Sequence, residues 1–314
     1  MQVFRHLEEV PDNFGPTVVS IGNFDGVHRA HQAVLKEVVA EARRIRGHAM
    51  VMTFDPHPTR ILRPDKELKL ISPAPIKLKL LEQASIDGVL LLPFTRDLSM
   101  MQPREFVEEI LVNKLHAKEV HEGYNFHFGH KAAGNAQVLT ELGREFGFEV
   151  VTYPEMTLRK EKVSSTEVRR LISEGNVSKA RHLLGRVFSI HSNPGRGRGY
   201  GHKYTVPTVN LSRYDELVPK NGVYITRSRI GDECFDSVTN VGVRPTFGPD
   251  SFAIESHLLN FHPISLQADT PVELMFLKWI RPEMKFPSVD DLRVQIAKDV
   301  QKARRFFHHL EQSR

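Results

Sequence analysis

Residues Thr17–His31 read TVVSIGNFDGVHRAH, and the change of character along this stretch decides the fold. Thr17, Val18, Val19, Ser20 and Ile21 are mostly β-branched and apolar, the pattern of a short buried strand. Leu35, Val38, Val39, Ala42 and Ile45 then recur at helical spacing, so Gly22, Asn23, Phe24, Asp25 and Gly26 fall in a strand-to-helix turn. A helix N-terminus presents unpaired backbone N–H groups and the positive end of a dipole, which suits phosphate, and glycine lets the backbone approach it. His28 and His31 open the same helix three residues apart. They are candidates to stabilise charge building up on one phosphate group. On these residues alone the turn also reads as an ordinary capped loop.

The 314 residues exceed one typical domain, and two domains are expected. Lys and Arg number 43 against 38 Asp and Glu, a net +5 that decides little: a nucleic-acid binder more often concentrates its excess into a patch, whereas polyphosphate substrates need only a few local cations. Cys234 is the sole cysteine, which excludes an intrachain disulfide and a thiolate zinc cluster. The N-terminal segment MQVFRHLEEVPDNF lacks a signal-peptide core, and the longest apolar run, Val89 to Phe94, is far too short to span a bilayer. A cytoplasmic protein without a membrane partner is therefore expected.

Strand and helix patterns alternate from Val3 to Arg169, which predicts a mostly parallel sheet covered by helices. The strand His48–Phe54 ends in Asp55, Pro56, His57 and Pro58, a stiffened exit at the end of a strand, where open α/β sheets bind ligands. Ser72–Ser85 is helical in pattern, Gly88–Phe94 a continuous apolar strand, and Pro103–Leu115 an amphipathic helix. A strand around Glu119–His121 leads into the glycine-bounded loop Gly123–His130, containing Asn125, Phe126 and His127. A zinc reading of His127 with His130 lacks a carboxylate or thiol to complete it. Ser164, Ser165, Thr166, Glu167, Val168 and Arg169 open another helix with a capping-box arrangement.

After Gly185 strand-like runs dominate, separated by Gly, Pro, Asn and Asp. Domains of residues 1–185 and 186–314 are expected, the second a small antiparallel barrel. A final helix, opened by Ser288 and Asp291, carries the stripe Leu292, Ile296, Val300, Ala303, Phe307 and Leu310, expected to lie along the barrel. Pro194–Asn210 reads PGRGRGYGHKYTVPTVN. It suits a flexible loop, a nucleic-acid contact or a phosphate-covering flap, and it fits neither a dinucleotide fingerprint nor a Walker A string.

Ile21–His31 resembles the signature of the nucleotidylyltransferase superfamily, and in particular the FMN adenylyltransferase module of bacterial bifunctional riboflavin kinase/FAD synthetases; Ala30 stands where that family carries glycine. The resemblance extends to Phe54–Pro58, to Gly123–Gly129 with His127 in place of arginine, and to Ser164–Arg169. Pro207–Asn210 resembles the Pro-Thr-Ala-Asn motif of riboflavin kinases, with Thr205 and Val206 replacing the usual Gly-Phe, and Asn240–Thr246 and Glu255–Leu259 resemble the remaining kinase strings, followed by Asn260 where aspartate is usual.

The resemblance implies a nucleotidylyltransferase-type Rossmann-like α/β domain followed by the barrel. It implies ATP at Gly22, Asn23, Phe24, Asp25, Gly26, Ser164, Ser165, Thr166 and Arg169, with His28 and His31 catalytic, and flavin at Asp55, Pro56, His57, Asn125, Phe126 and His127. In the second domain it implies nucleotide at Gly199 and Gly201, Mg²⁺ and phosphates at Thr208 and Asn210, flavin at Arg244 and Glu255 as the base. The expected reactions are phosphorylation of riboflavin to FMN and adenylylation of FMN to FAD, with ATP, riboflavin and FMN as partners and no nucleic acid. A single-activity transferase with a degenerate second domain, or a nucleic-acid-binding protein, are the alternatives.

Overall fold

The computed structural model describes residues 1–195, 208–243, 252–264 and 266–312. Contacts divide the chain into two compact units, Met1–Glu167 and Val168–Arg314. In the first, six strands form one sheet: β1 Gln2–Phe4, β2 Thr17–Ile21, β3 His48–Phe54, β4 Gly88–Leu92, β5 Ala117–Gly123 and β6 Glu149–Tyr153. Their order is β1-β4-β3-β2-β5-β6, and every neighbouring pair is parallel. All five residues of β2 and of β4 are buried, as expected of strands with both faces covered; the two hydroxyls of β2, Thr17 and Ser20, donate to Leu115 O and His121 O.

Helix α1 (Arg29–Arg44) links β2 to β3, and α2 (Ala74–Gln83) links β3 to β4. Leu35, Val38 and Ala42 of α1 and Leu81 of α2 pack with Val18, Ala49, Val51 and Leu91 on one face of the sheet. The other face, with Val19, Met50, Met52 and Val120, is covered by the segment Pro103–Lys114 and by α3 (Ala136–Phe146). The alternation of Ala49, Met50, Val51 and Met52 between the two cores is the period-2 geometry of a strand. The amphipathic helix expected at Pro103–Leu115 is present, but Val107–Lys114 is wound as a π-helix. Connections run leftward from β2 through β3 to β4, then cross to β5 on the other side of β2. The switch point thus lies between β2 and β5, and open sheets take their ligands at the carboxyl ends of such strands.

The second unit begins inside helix α4 (Ser165–Ser173) and includes α5 (Val177–Leu184). The boundary expected after Gly185 therefore falls within this unit. Ser178 Oγ donates to Leu277 O at 3.0 Å, Lys220 N donates to Ile172 O at 3.4 Å, and Ala180, Leu183 and Leu184 are buried. The local pattern assigns these helices to the preceding α/β run because their partners lie 48 and 99 residues ahead, at Lys220 and Leu277. A fragment of residues 168–314 is accordingly expected to melt cooperatively, whereas residues 186–314 should be far less stable or aggregate. Equal melting of the two by circular dichroism would contradict the assignment.

Six strands follow: β7 Phe188–Ser192, β8 Thr208–Asn210, β9 Gly222–Ile230, β10 Glu233–Val243, β11 Phe252–Leu258 and β12 Val272–Arg281. They form one antiparallel sheet in the order β7-β12-β9-β10-β11-β8. Its edges are joined by a bridge between Pro194 and Leu211, with Gly195 N donating to Asn210 O at 2.8 Å and Ser212 N to Asn193 O at 2.9 Å, which curls the sheet into the expected barrel. The inner face carries Tyr224 and Phe276 in edge contact, and also five buried hydroxyls, Thr226, Ser228, Ser237, Thr239 and Ser256. These bond to one another at 2.6–3.0 Å, which offsets the cost of their burial.

The closing helix α6 (Val289–Gln312) follows the expected stripe only in part. Ala303 and Phe307 pack with Val223, Ile225, Val238 and Leu259, but Leu292 and Ile296 are 39% and 40% exposed. Asp299 is buried in their place, paired with Arg281 at 2.8 Å.

Candidate active sites

Three of the quoted strings meet at the carboxyl ends of adjacent strands. Gly22–His31 follows β2, Asp55–His57 follows β3, and Gly123–His127 follows β5, the three strands lying in the order β3-β2-β5. Within the first turn Gly26 has φ +83, a conformation that an L side chain adopts at a cost, and a Cβ there would lie 3.1 Å from Ile71. Phe24 (φ 48) and Val27 (φ 37) adopt the left-handed region without that freedom, so the turn is held from outside. The Asp25 carboxylate, buried, accepts from Ile71 N at 3.0 Å and Ser72 N at 2.9 Å. Phe24 is buried in the core and its ring lies 4.9 Å from that of His31. Phe24 and Asp25 therefore brace the turn from behind, while Gly22 and Asn23 lie nearer its surface.

His28 is the N-cap of α1: its Nδ1 accepts from His31 N at 3.4 Å, which leaves the ring proton on Nε2. The two imidazoles stack, centroids 3.7 Å apart and planes 14° apart. His31 Nδ1 is buried without a hydrogen-bond partner among the described residues. Burial, then His28, then Lys77 hold the His31 pKa well below the ordinary value for histidine. His31 is therefore held as a neutral imidazole against the His28 ring.

Ser165, at the start of α4, donates from Oγ to Asp25 O at 2.8 Å, tying the second expected phosphate motif to the first. Ser164 caps this helix by accepting from Glu167 N at 3.3 Å, Thr166 is exposed, and Arg169 follows on the helix. On the flavin side Asp55 is exposed, Pro56 follows it, and His57 caps the helix Pro58–Leu62, accepting from Thr59 N at 3.2 Å. Phe126 stacks on Phe128, Asn125 is exposed, and the His127 ring bonds Asn125 O at 2.9 Å. His127 is therefore held within its own loop.

Two buried ionisable groups beside the turn are absent from the sequence reading. Lys77 lies on the buried stripe of α2 with Leu81, and its Nζ donates to Thr53 Oγ1 at 3.0 Å, Phe54 O at 3.1 Å and Asn23 O at 3.3 Å. Burial pulls its pKa down to about 8 against the opposing pull of Asp25 and Asp55. The signal was a lysine at an apolar position of the helical pattern. Glu122, next to the end of β5, accepts from Ile21 N at 2.6 Å, and burial pushes its pKa well above the carboxylate range. The folded state thus holds a proton that the unfolded state releases near pH 4.5, and stability falls as pH rises between that value and the folded pKa. Glu122→Gln, which keeps the shape, should raise Tm by a few °C (about 2–4 °C per kcal/mol) more at pH 8 than at pH 5. An equal difference at both pH values would show that Glu122 is not protonated in the fold.

In the second unit, β11 lies between β8 and β10, and the register places Glu255 opposite Asn210 on one side and Asn240 on the other. Thr208 pairs with His257 on the same face, whose imidazole pKa is lowered by burial. One edge-to-edge row therefore carries an amide, a carboxylate and an amide, with a threonine hydroxyl one pleat away. Glu283, which the sequence reading missed, reaches this row: Asn240 Nδ2 donates to its Oε1 at 3.4 Å, and the carboxylate lies where a side chain on Gly242 would be. Gly199, Gly201 and Arg244 lie outside the described residues. Among the described residues no group of three or more His, Cys, Asp or Glu side chains could hold a metal ion, and no helix is long and apolar enough to cross a membrane.

A parallel sheet with a glycine- and histidine-bearing turn at its switch point, followed by a barrel with a carboxylate between two amides, is the architecture of a two-module enzyme. The FAD synthetase family profile matches residues 10–167 and the riboflavin kinase profile residues 184–307. The chain belongs to the family of bifunctional riboflavin kinase/FMN adenylyltransferases. It is 33% identical to the family member of Haemophilus influenzae, covering 98% of this chain and all of that one, and 33% identical to that of Listeria monocytogenes over 94% and 93%. A crystal structure described as a macrolide-efflux protein from Streptococcus pneumoniae has the same fold, with a TM-score of 0.86 and 27% identity, covering 96% of this chain and 98% of that one.

Proposed function

We propose that this chain phosphorylates riboflavin to FMN in its C-terminal barrel and adenylylates FMN to FAD in its N-terminal α/β unit, using ATP for both. The observation that carries the reading is the convergence of the three first-unit strings on adjacent strand ends, together with the Asn210–Glu255–Asn240 row in the second.

In adenylyl transfer an FMN phosphate oxygen attacks the α-phosphorus of ATP, the new P–O bond forms in line with the bond that breaks, and pyrophosphate leaves. The nucleophile arrives ionised, so no protein base is required. The chain's contribution is position and preorganised donors: the N-terminal amides of α1, and the His28 Nε2–H fixed by the bond at Nδ1. In the kinase a ribityl hydroxyl attacks the γ-phosphorus and gives up its proton, while the bond from that phosphorus to the β–γ bridging oxygen breaks and ADP leaves. Glu255 is the proposed base, flanked by the groups proposed to hold Mg²⁺ and phosphate, Thr208 and Asn210. The donor set of hydroxyl, amide and carboxylate oxygens suits Mg²⁺, which would supply positive charge to offset that of the phosphates. The proposed compartment is the cytoplasm, since a single cysteine calls for no oxidising environment.

The test is a chromatogram of the full chain incubated with riboflavin, ATP and Mg²⁺. FMN followed by FAD is expected. FAD formation from supplied FMN without any phosphorylation of riboflavin would reduce the protein to a transferase with an idle barrel.

A further inference from the structure

We propose that Lys77 is a positioning residue for adenylyl transfer: its ammonium clamps the Asn23 carbonyl of the nucleotide turn to the carboxyl end of β3 and so fixes the segment on which His28 and His31 stand. The inference rests on the assignment of adenylyl transfer to the first unit.

Lys77 is only 6% exposed, on the face of α2 that packs against the sheet. An ammonium in such a place is stable only if its protons are matched by acceptors. All three are: Asn23 O, Thr53 Oγ1 and Phe54 O lie at 3.0–3.3 Å. Thr53 Oγ1 in turn donates to Asn23 O at 3.2 Å, so ammonium, hydroxyl and carbonyl form a closed triangle. With its donors satisfied inside the protein, Lys77 has none left for a phosphate, and it acts through what it holds.

What it holds is the strained part of the turn. The Asn23 carbonyl belongs to the peptide that enters Phe24, and Phe24 stands at φ 48, a conformation that persists only where neighbours impose it. Two donors on that one oxygen fix the plane of the peptide. The consequence runs through Phe24, whose ring packs against His31, to the stacked histidine pair. A methionine at position 77 would fill a similar volume, so packing alone does not call for a charge there.

The charge has a second effect. Lys77 faces Asp25 in the turn, Asp55 after β3 and His31 at the start of α1, which itself stacks on His28. The carboxylates favour the ammonium, and the ammonium helps to keep His31 neutral. Loss of the proton from Lys77 removes one donor and the charge, so the clamp weakens as pH rises through about 8.

The full chain carrying Lys77→Met tests this, with FAD formation from FMN and FMN formation from riboflavin measured on one preparation. Expected is a fall of at least about tenfold in kcat for FAD formation with the kinase unchanged, and loss of the basic limb that the wild type shows near pH 8. A merely structural lysine would lower Tm and the active fraction while leaving the pH profile in place. Thr53→Val, which removes one acceptor and keeps the shape, should cause a smaller loss, and the double variant should be no worse than Lys77→Met alone. Wild-type FAD turnover in Lys77→Met, an unchanged basic limb, or losses that multiply in the double variant would overturn the proposal. If Lys77→Met does not fold, wild-type turnover in Thr53→Val overturns it. A wild-type chain that forms no FAD would overturn the functional assignment instead, a result separate from all of these.

Discussion

His28→Ala is expected to reduce FAD formation on the order of 10²-fold or more while FMN formation from riboflavin continues at the wild-type rate. The size follows from what the ring does. Its Nδ1 accepts from His31 N, so the N–H on Nε2 is a donor fixed before substrate binds, and a donor held in a shielded site stabilises developing charge without reorganising. The ring is 5% exposed and stacked on His31 at 3.7 Å, so alanine also releases the second imidazole. Loss of the N-cap costs about 1 kcal/mol of stability, too little to unfold a unit with two hydrophobic cores. The kinase therefore serves as the internal control, because its row of side chains lies wholly in the other unit. Parallel loss of both activities in a folded variant would remove the two-site assignment.

Glu255→Gln is expected to slow the kinase on the order of 10²-fold and to leave riboflavin and ATP binding nearly intact. The amide keeps the shape between Asn210 and Asn240 but cannot take the hydroxyl proton. General-base assistance is typically worth on the order of 10² to 10⁴, and the loose transition state of phosphoryl transfer, in which the nucleophile carries little early charge, places this case at the lower end. The carboxylate should also account for an acidic limb in the pH profile of kinase turnover, present in the wild type and absent from the variant. Unchanged turnover under chemistry-limited conditions would make Glu255 an ordinary solvated strand residue and direct the search to Glu283, the other carboxylate at the row.

The first unit was legible from local pattern because each of its elements announces itself: β2 is mostly β-branched, β4 is apolar throughout, and α1, α2 and α3 carry their stripes on one face. The motif turn was legible for the same reason, as glycines and histidines stand out against strand and helix periods. What escaped depended on partners distant in sequence. Helices α4 and α5 read as the end of the α/β run, and only their packing on β12 and the Lys220 loop joins them to the barrel. The buried hydroxyls of β9, β10 and β11 alternate as outward-facing polar residues would, and only barrel closure turns them inward. Asp299 interrupts the core of α6 because Arg281 is there to meet it. Lys77 and Glu122 escape for the converse reason: an ionisable side chain inside an apolar pattern looks like noise until its acceptors or donors are seen.

The most direct test of two chemistries in two separate units supplies the His28→Ala and Glu255→Gln chains, each with ATP and Mg²⁺, first with riboflavin and then with FMN, and separates the products by chromatography. The account predicts a crossed pattern: His28→Ala turns riboflavin into FMN and stops, while Glu255→Gln makes little FMN from riboflavin yet converts supplied FMN to FAD at the wild-type rate. Loss of both products in both folded variants would contradict it.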